Sequence, residues 1–205
     1  LEDWLVILLA HYNAHYKIAR FGDEQSMAGL DATFAKCQAL QSLPRLVFAL
    51  LRNPVLLSEA EGIDPDLRVY IQTMYATLEP GNLQKAIYPL LRSFNTPDEE
   101  AFPSHSLSRA ALITCGSPIF LLDAFTQMIV YYAPNASADL TFPPPQNSKL
   151  RTLINSKKAD RVLTPKLHMI HGGRDPVGPF EAKLLEEQDS GIPGAMPGLG
   201  FIGFL

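Results

Sequence analysis

The sequence has few cysteines and few charged residues, and both shortages limit what the protein can be. Only two cysteines, Cys37 and Cys115, occur among 205 residues, and they form no CxxC pair. This excludes a disulfide framework or a cysteine-based zinc site and indicates a reducing, cytosolic setting. Charged residues make up 19% of the chain and the net charge is −4. The chain as a whole therefore lacks the positive footprint of a nucleic-acid-binding protein.

Long hydrophobic runs are also missing. The longest apolar run near the start, Trp4–Ala10, is far too short to span a bilayer. The chain opens on Leu1 with neither an initiator methionine nor a signal-peptide pattern, and we expect it to be a fragment of a longer protein. Its length and its 47% hydrophobic content suffice for one large domain or two small ones.

The motifs of common catalytic sites are absent. In HMIHGGRDPVGPF (168–180), a predicted strand runs into a Gly-Gly turn and Asp175, as in the turn that presents the acid of an α/β-hydrolase. However, the chain has no G-x-S-x-G motif for a nucleophilic serine. The catalytic histidine of an α/β-hydrolase follows the acid in the chain, whereas all five histidines here precede Asp175. A hydrolase fragment is therefore only a remote alternative. Without a glycine-rich phosphate loop, we expect no nucleotide binding by this chain alone.

A metal site is not expected either. His168 and His171 lie three residues apart on a predicted strand, a spacing that points their side chains to opposite faces.

Helical signals dominate the first hundred residues. Apolar residues recur at helical spacing from Trp4 to Tyr16, and Pro44 is tolerated in the first turn of the next helix. Asp64-Pro65 is a cap followed by a first-turn proline, and Asn82 is predicted to cap a helix that runs through Leu91 with a kink at Pro89.

The sequence pattern changes after residue 100. Short apolar, partly β-branched runs separated by tight turns predict strands, and the intervening segments predict short helices. The predicted strands are Ala110–Cys115, Ile119–Asp123, Gln127–Tyr132 and Val162–His171, and the predicted helices are Lys149–Asn155 and Phe180–Gln188. The fold class is thus α followed by α+β, with an all-helical domain over 1–100 and a small mixed-sheet domain over 101–205. Residues 191–205 contain five glycines and two prolines and are not expected to form a stable helix.

The stretch from Lys149 to Arg174 is basic, since it contains seven lysines and arginines and a single acidic residue, Asp160. Such a run forms either an ordinary solvated face or a patch for an acidic partner or anionic lipid headgroups. Three of its members, Lys157, Lys158 and Arg161, are candidate binding residues.

Four stretches, in this order, resemble the C-terminal third of the GTPase-activating subunit of the inner COPII coat, the Sec23 type. They are LPRLVFALLRNPVLL (43–57), LRVYIQTMYATLEPGNLQKAIYPLLRSF (67–94), IFLLDAFTQMIVYYAP (119–134) and LRTLINSKKADRVLTPKLHMIHGG (150–173). In that family an all-helical domain precedes a gelsolin-like domain. The resemblance covers most of the chain, from about residue 4 to about residue 187, with a divergent Gly/Pro-rich tail from about 190.

The resemblance implies a vesicle-coat subunit in transport from the endoplasmic reticulum to the Golgi, cytoplasmic and peripheral on exit-site membranes. The implied partners are a Sar-type small GTPase, the sibling inner-coat and outer-coat subunits, and the anionic membrane surface, with no nucleic acid. It implies no cofactor in this segment, because the family's zinc lies in an upstream domain. GTP and magnesium would belong to the GTPase.

The resemblance also implies a site. In the family, an arginine beyond the His-Gly-Gly turn (His171, Gly172 and Gly173 here) enters the active site of the GTPase. Such an arginine finger stabilises transferring phosphoryl charge and is worth on the order of 10³–10⁵ in rate. The chain would then have no active site of its own and would act in trans.

The family's arginine lies four residues past the second glycine, where this sequence has Val177. Arg174 and Lys183 are the two candidate replacements, and a lysine lacks the bidentate fork of arginine. The departure fits a divergent paralogue with a weak or absent activating function.

An actin-regulatory module is the alternative from another class, since gelsolin-like domains also bind actin and calcium. A calcium site would need converging carboxylates, and Asp123 has few acidic companions nearby in the sequence.

Overall fold

The computed structural model describes residues 1–18, 37–56, 64–187 and 200–204. The helices are α1 (Glu2–Ile18), α2 (Leu43–Leu51), α3 (Pro65–Thr77), α4 (Pro80–Ile87), α5 (Arg109–Cys115), α6 (Lys149–Ala159), α7 (Gly178–Glu181) and α8 (Phe201–Phe204). The strands are β1 (Leu90–Phe94), β2 (Ile119–Asp123), β3 (Gln127–Tyr132) and β4 (Lys166–His171). Helices followed by a small mixed sheet with flanking helices confirm the predicted fold class. The domain boundary near residue 100 stays a prediction.

The helical part forms where its capping signals predicted. Pro44 lies in the first turn of α2, which buries Val47, Phe48 and Ala49. The Asp64 carboxylate accepts a hydrogen bond from the backbone N–H of Asp66 at 3.0 Å, which satisfies one of the free amides at the start of α3. No described helix is long and apolar enough to cross a membrane.

The prediction of one helix from Asn82 through Leu91 is wrong at both ends. Glu79 occupies the N-cap position of α4 without a side-chain capping bond. The helix ends at Ile87, and Tyr88 adopts an extended conformation with φ −124° and ψ 99°. Pro89 explains the early end, because a proline disfavours the helical conformation of the residue before it. The chain leaves the helix there and enters β1 directly.

Four strands form a sheet in the order β1-β2-β3-β4. The pairs β1–β2 and β2–β3 are antiparallel, whereas β3 and β4 run parallel and pair from Gln127↔Lys166 to Tyr132↔His171. The connection between β3 and β4 contains α6, which covers one face of the sheet with Leu150 and Ile154. The other face is covered by Leu107, Phe180 and Leu184. The sheet is therefore buried on both sides, as parallel pairing favours.

The predicted strand Ala110–Cys115 is a helix, α5. Ser108 caps it by accepting a hydrogen bond from the N–H of Ala111 at 3.2 Å, and Gly116 ends it with φ +64°. A serine cap and a left-handed glycine are helix signals that outweigh the β-branched composition of so short a run.

Two further elements are shorter than predicted. The strand expected over Val162–His171 is β4 and begins only at Lys166. The helix expected over Phe180–Gln188 is limited to the four residues of α7, with turns up to 187, and Gln188 lies outside the described residues.

The chain's end packs against α2. Within the Gly-rich tail, of which residues 200–204 are described, Phe201–Phe204 forms one helical turn, contrary to our expectation. The rings of Phe201 and Phe204 lie 5.3 and 5.2 Å from that of Phe48. Tertiary packing thus stabilises a turn that glycine would otherwise disfavour.

Arg161 and Asp123 form a buried ion pair. The guanidinium donates to both carboxylate oxygens at 2.9 and 2.5 Å and to the backbone carbonyl of Phe125 at 2.9 Å. The two side chains are only 2% and 7% exposed. The Asp123 carboxylate also accepts from the N–H of Phe125, which holds that residue at φ +62° in the β2–β3 turn.

Breaking this pair should destabilise the protein strongly. We expect Arg161→Ala to lower the free energy of unfolding by about 3–5 kcal/mol, because it leaves a buried carboxylate without a counter-charge. Urea denaturation measures this change.

The matched control is Lys149→Ala, which removes an exposed ion pair with Glu100 and should cost less than about 1 kcal/mol. Equal effects of the two substitutions would contradict the structural role of the buried pair.

Candidate functional site

The His-Gly-Gly turn follows β4 and requires both of its glycines. The N–H of Gly172 donates to the carbonyl of Tyr132 at 2.8 Å. A β-carbon at Gly172 would lie 2.8–2.9 Å from atoms of Pro134, including its backbone nitrogen, so any side chain would clash. Gly173 has φ +80°, a conformation that side chains disfavour. The glycine pair therefore has a complete structural explanation.

Asp175 closes the turn. Its Oδ2 accepts from the N–H of His171 at 2.8 Å, and the N–H groups of Arg174 and Asp175 donate to the carbonyl of His171 at 3.1 and 2.9 Å. Asp175 thus acts as a cap for the turn, which is an ordinary structural role for an aspartate.

The imidazole of His171 packs inside the same turn. Its Nδ1 lies 2.9 Å from the carbonyl of Gly172, and its ring contacts those of Tyr132 and Phe142 at centroid distances of 6.2 and 5.2 Å. Burial raises the pKa of the Tyr132 hydroxyl to about 12, so this neighbour stays neutral at physiological pH. These contacts stiffen the base of the turn.

Arg174 is exposed at the tip of this turn. Among the described residues, no hydrogen bond or ion pair involves its guanidinium. The arrangement presents a planar cation to solvent on a rigid backbone, which suits recognition of a phosphate or carboxylate on another molecule.

Lys183 has a different environment. It follows α7, whose Phe180 stacks on Tyr131 at a centroid distance of 4.2 Å. The Lys183 side chain is half-buried and lines a groove against the helical part. Burial lowers the pKa of its ammonium group. The structure therefore does not bring the two candidate cations into one site.

The basic candidates also separate. Lys157 and Lys158 lie in the last turn of α6, where positive charge is favourable. Arg161, by contrast, is buried against Asp123, which corrects its interpretation as an exposed binding residue. The same pair counts against a calcium site at Asp123, because its carboxylate is already occupied. No group of three or more potential metal ligands occurs among the described residues.

Sequence reasoning missed a cluster around Glu186 that joins α2 to the sheet. The Glu186 carboxylate accepts from the Tyr88 hydroxyl at 2.5 Å and from Arg45 Nε at 3.0 Å. Arg52 donates to the carbonyls of Leu185 and Glu187 at 2.7 and 3.1 Å, over the ring of Phe48. Contacts across more than 90 residues leave no local signal in the sequence.

Comparisons with known proteins agree with the resemblance described above. Residues 1–85 match the Sec23/Sec24 helical domain. The whole chain is 50% identical, over 207 aligned positions, to part of Protein transport protein SEC23 D from Arabidopsis thaliana, and it spans 28% of that protein. The resemblance to a Sec23-type protein is thereby confirmed.

Solved structures support the fold alone. The human COPII-coat protein Sec24c superposes with a TM-score of 0.60 at 20% identity, covering 82% of this chain and 23% of that one. A Thorarchaeota 2DGel3/rabbit actin complex covers 45% of this chain and 44% of its own at 22% identity, but its TM-score of 0.33 carries no argument.

The turn should not tolerate alanine. We expect Gly172→Ala to lower the free energy of unfolding by about 2–4 kcal/mol, because the new methyl group overlaps the Pro134 backbone. Gly173→Ala should cost about 1–2 kcal/mol through its left-handed backbone. Chemical denaturation tests both variants.

Gly178→Ala is the control, since a β-carbon there meets nothing within 4 Å and the φ of Gly178 is not positive. If Gly172→Ala were as mild as this control, the close approach of Pro134 would be disproved.

Lys183→Met should stabilise the protein at neutral pH. The folded pKa of Lys183 lies below its ordinary value of 10.5, so the folded state binds this proton less tightly than the unfolded state. The penalty is complete below the folded pKa and disappears as the pH rises through 10.5. Thermal melts should therefore show the advantage of Lys183→Met at pH 7 shrinking towards pH 10.5. An advantage that does not change with pH would contradict a desolvated ammonium group.

Proposed function

We propose that this chain is a piece of a Sec23/Sec24-type protein and forms part of a COPII coat subunit that acts in transport from the endoplasmic reticulum to the Golgi. The observation that carries this proposal is the 50% identity to SEC23 D along the whole chain, through both the helical part and the sheet. Since the chain spans 28% of that relative, the activity and partners of the whole protein belong to the proposal.

The proposed partner of the His-Gly-Gly turn is a Sar-type small GTPase. Arg174 supports this assignment because its guanidinium is exposed, has no partner among the described residues, and follows a turn held by Gly172, Gly173 and Asp175. A cation held on a rigid backbone loses little conformational freedom when it meets developing phosphate charge. Lys183 is less suited to this role, since it is half-buried and lines the groove against the helical part.

The membrane and the coat supply the remaining proposed partners. Lys157 and Lys158, half-buried in the last turn of α6, would contact the anionic cytoplasmic face of the endoplasmic reticulum with their ammonium groups. Each such cation near a membrane surface contributes about 1 kcal/mol of attraction. Sibling inner-coat and outer-coat subunits would meet the rest of the surface, and the protein would be cytoplasmic and peripheral.

Single-turnover GTP hydrolysis tests the role of Arg174. The full-length protein and its Sec24-type partner are added to a Sar-type GTPase loaded with GTP on anionic liposomes. We expect Arg174→Ala to reduce the stimulated rate on the order of 10³-fold, with Arg174→Lys only partly active because it lacks the planar fork.

Lys149→Ala provides the control, as it removes another exposed cation. Co-flotation with the liposomes is measured in parallel. If Lys183→Ala abolished the stimulation and Arg174→Ala kept it, the GTPase-activating role would be assigned to Lys183 instead. Absence of GTP-dependent recruitment of the wild-type protein would refute the coat proposal itself.

A further inference from the structure

A groove separates the helical part from one end of the sheet. Its volume is about 690 Å³, and it lies between helices α2, α3 and α4 on one side and the β2–β3 turn with the 182–185 segment on the other. We call it the α3 groove. It is distinct from the turn that presents Arg174, because none of the turn residues 171–175 lines it.

The charges of the α3 groove have one sign. Its described lining contains Lys166, Lys183 and Arg52 and no aspartate or glutamate. Neither lysine takes part in a hydrogen bond or ion pair of its side chain within the described ranges. Arg52 donates to the backbone carbonyls of Leu185 and Glu187 and adds a third positive charge to this lining. Low-dielectric walls strengthen such a field.

The helical wall of the α3 groove is apolar. Leu67, Tyr70 and Met74 of α3 line it, although Leu67 and Tyr70 are 44% and 51% exposed. No residue of α3 is fully buried. An apolar helix face that is left half-open beside two lysines combines hydrophobic contact area with charge, as peptide-binding grooves do.

The desolvated Lys183 adds a second argument. Holding an ammonium group in a half-buried position without a carboxylate destabilises the fold, and burial lowers its pKa accordingly. A residue that costs stability is explained when a binding partner supplies the missing charge.

We propose that the α3 groove binds a segment of a partner protein, with an aspartate or glutamate at Lys183 and Lys166 and an adjacent apolar side chain on α3. The acidic group would gain two cations in a partly dry site. The apolar side chain would cover Leu67 and Tyr70. This interaction goes beyond the proposed GTPase contact and does not involve Arg174.

Peptide selection on the full-length protein tests this proposal. The probe is a phage-displayed library of random dodecapeptides, selected on the wild-type protein and counter-selected on Lys183→Met. We expect the recovered peptides to share an aspartate or glutamate within two positions of an aromatic or aliphatic residue. The best peptide, labelled with fluorescein, should bind at least about tenfold more weakly to Lys183→Met, and its affinity should fall as salt rises.

Two controls make a loss of binding interpretable. Lys183→Met is expected to be at least as stable as the wild type, so weaker binding cannot come from unfolding. Lys85→Met on neighbouring α4 removes a lysine that does not line the groove and should leave the affinity unchanged. Tyr70→Ser should weaken binding without changing its salt dependence.

Other results would overturn the proposal. These are selected peptides without an acidic residue, binding that is insensitive to Lys183→Met, or a groove whose lysines affect only binding to anionic vesicles. Because GTP-dependent recruitment is measured separately, failure of the groove proposal leaves the coat proposal intact, and the reverse also holds.

Discussion

The buried pair between Arg161 and Asp123 is the interaction on which the sheet depends. Asp123 ends β2, and Arg161 lies in the connection just before β4, so the pair ties the β2–β3 turn to the start of the last strand. The N–H of Lys166 adds a bond to the carbonyl of Thr126 at 2.9 Å. Because β4 begins beside this turn, its pairing with β3 starts at Gln127↔Lys166 and ends at Tyr132↔His171. The Gly-Gly turn follows directly after His171. A buried pair of this kind is costly to break and therefore specifies one register.

A second set of contacts joins the helical part to the sheet. Arg45 of α2 donates to the Glu186 carboxylate, and Arg52, which follows α2, donates to the carbonyls beside it. The Tyr88 hydroxyl donates to the same carboxylate. Burial and the Glu186 carboxylate raise the pKa of the Tyr88 hydroxyl, which therefore remains a neutral donor. These contacts hold the segment after α7 against α2, and they bring Lys183 to the groove. Arg174 is thus exposed to solvent before α7, whereas Lys183 is half-buried in the groove after it.

The two candidate cations illustrate how exposure and burial separate roles. Arg174 combines an exposed guanidinium with a backbone that glycines and Asp175 hold in place. Lys183 combines an ammonium group with apolar neighbours and no described counter-charge. By sequence, both were candidate replacements for an arginine expected at Val177. Only their environments distinguish a solvent-facing cation from one that is suited to a groove.

Local signals in the sequence determined much of this protein. Pro44 and Asp64-Pro65 placed α2 and α3, and the short apolar runs between turns placed β2 and β3, because caps and turn signals act over a few residues. The four ordered stretches predicted the resemblance to a Sec23-type protein, which the 50% identity to SEC23 D confirms. Tertiary structure decided the rest: β1 rather than helix after Pro89, α5 rather than strand, and burial of Arg161 rather than exposure. It also decided that Arg174 is exposed to solvent and that Lys183 is half-buried. These outcomes depend on partners distant in the chain, such as Asp123 for Arg161, and no local pattern encodes which distant residue will supply a charge or cover an apolar face.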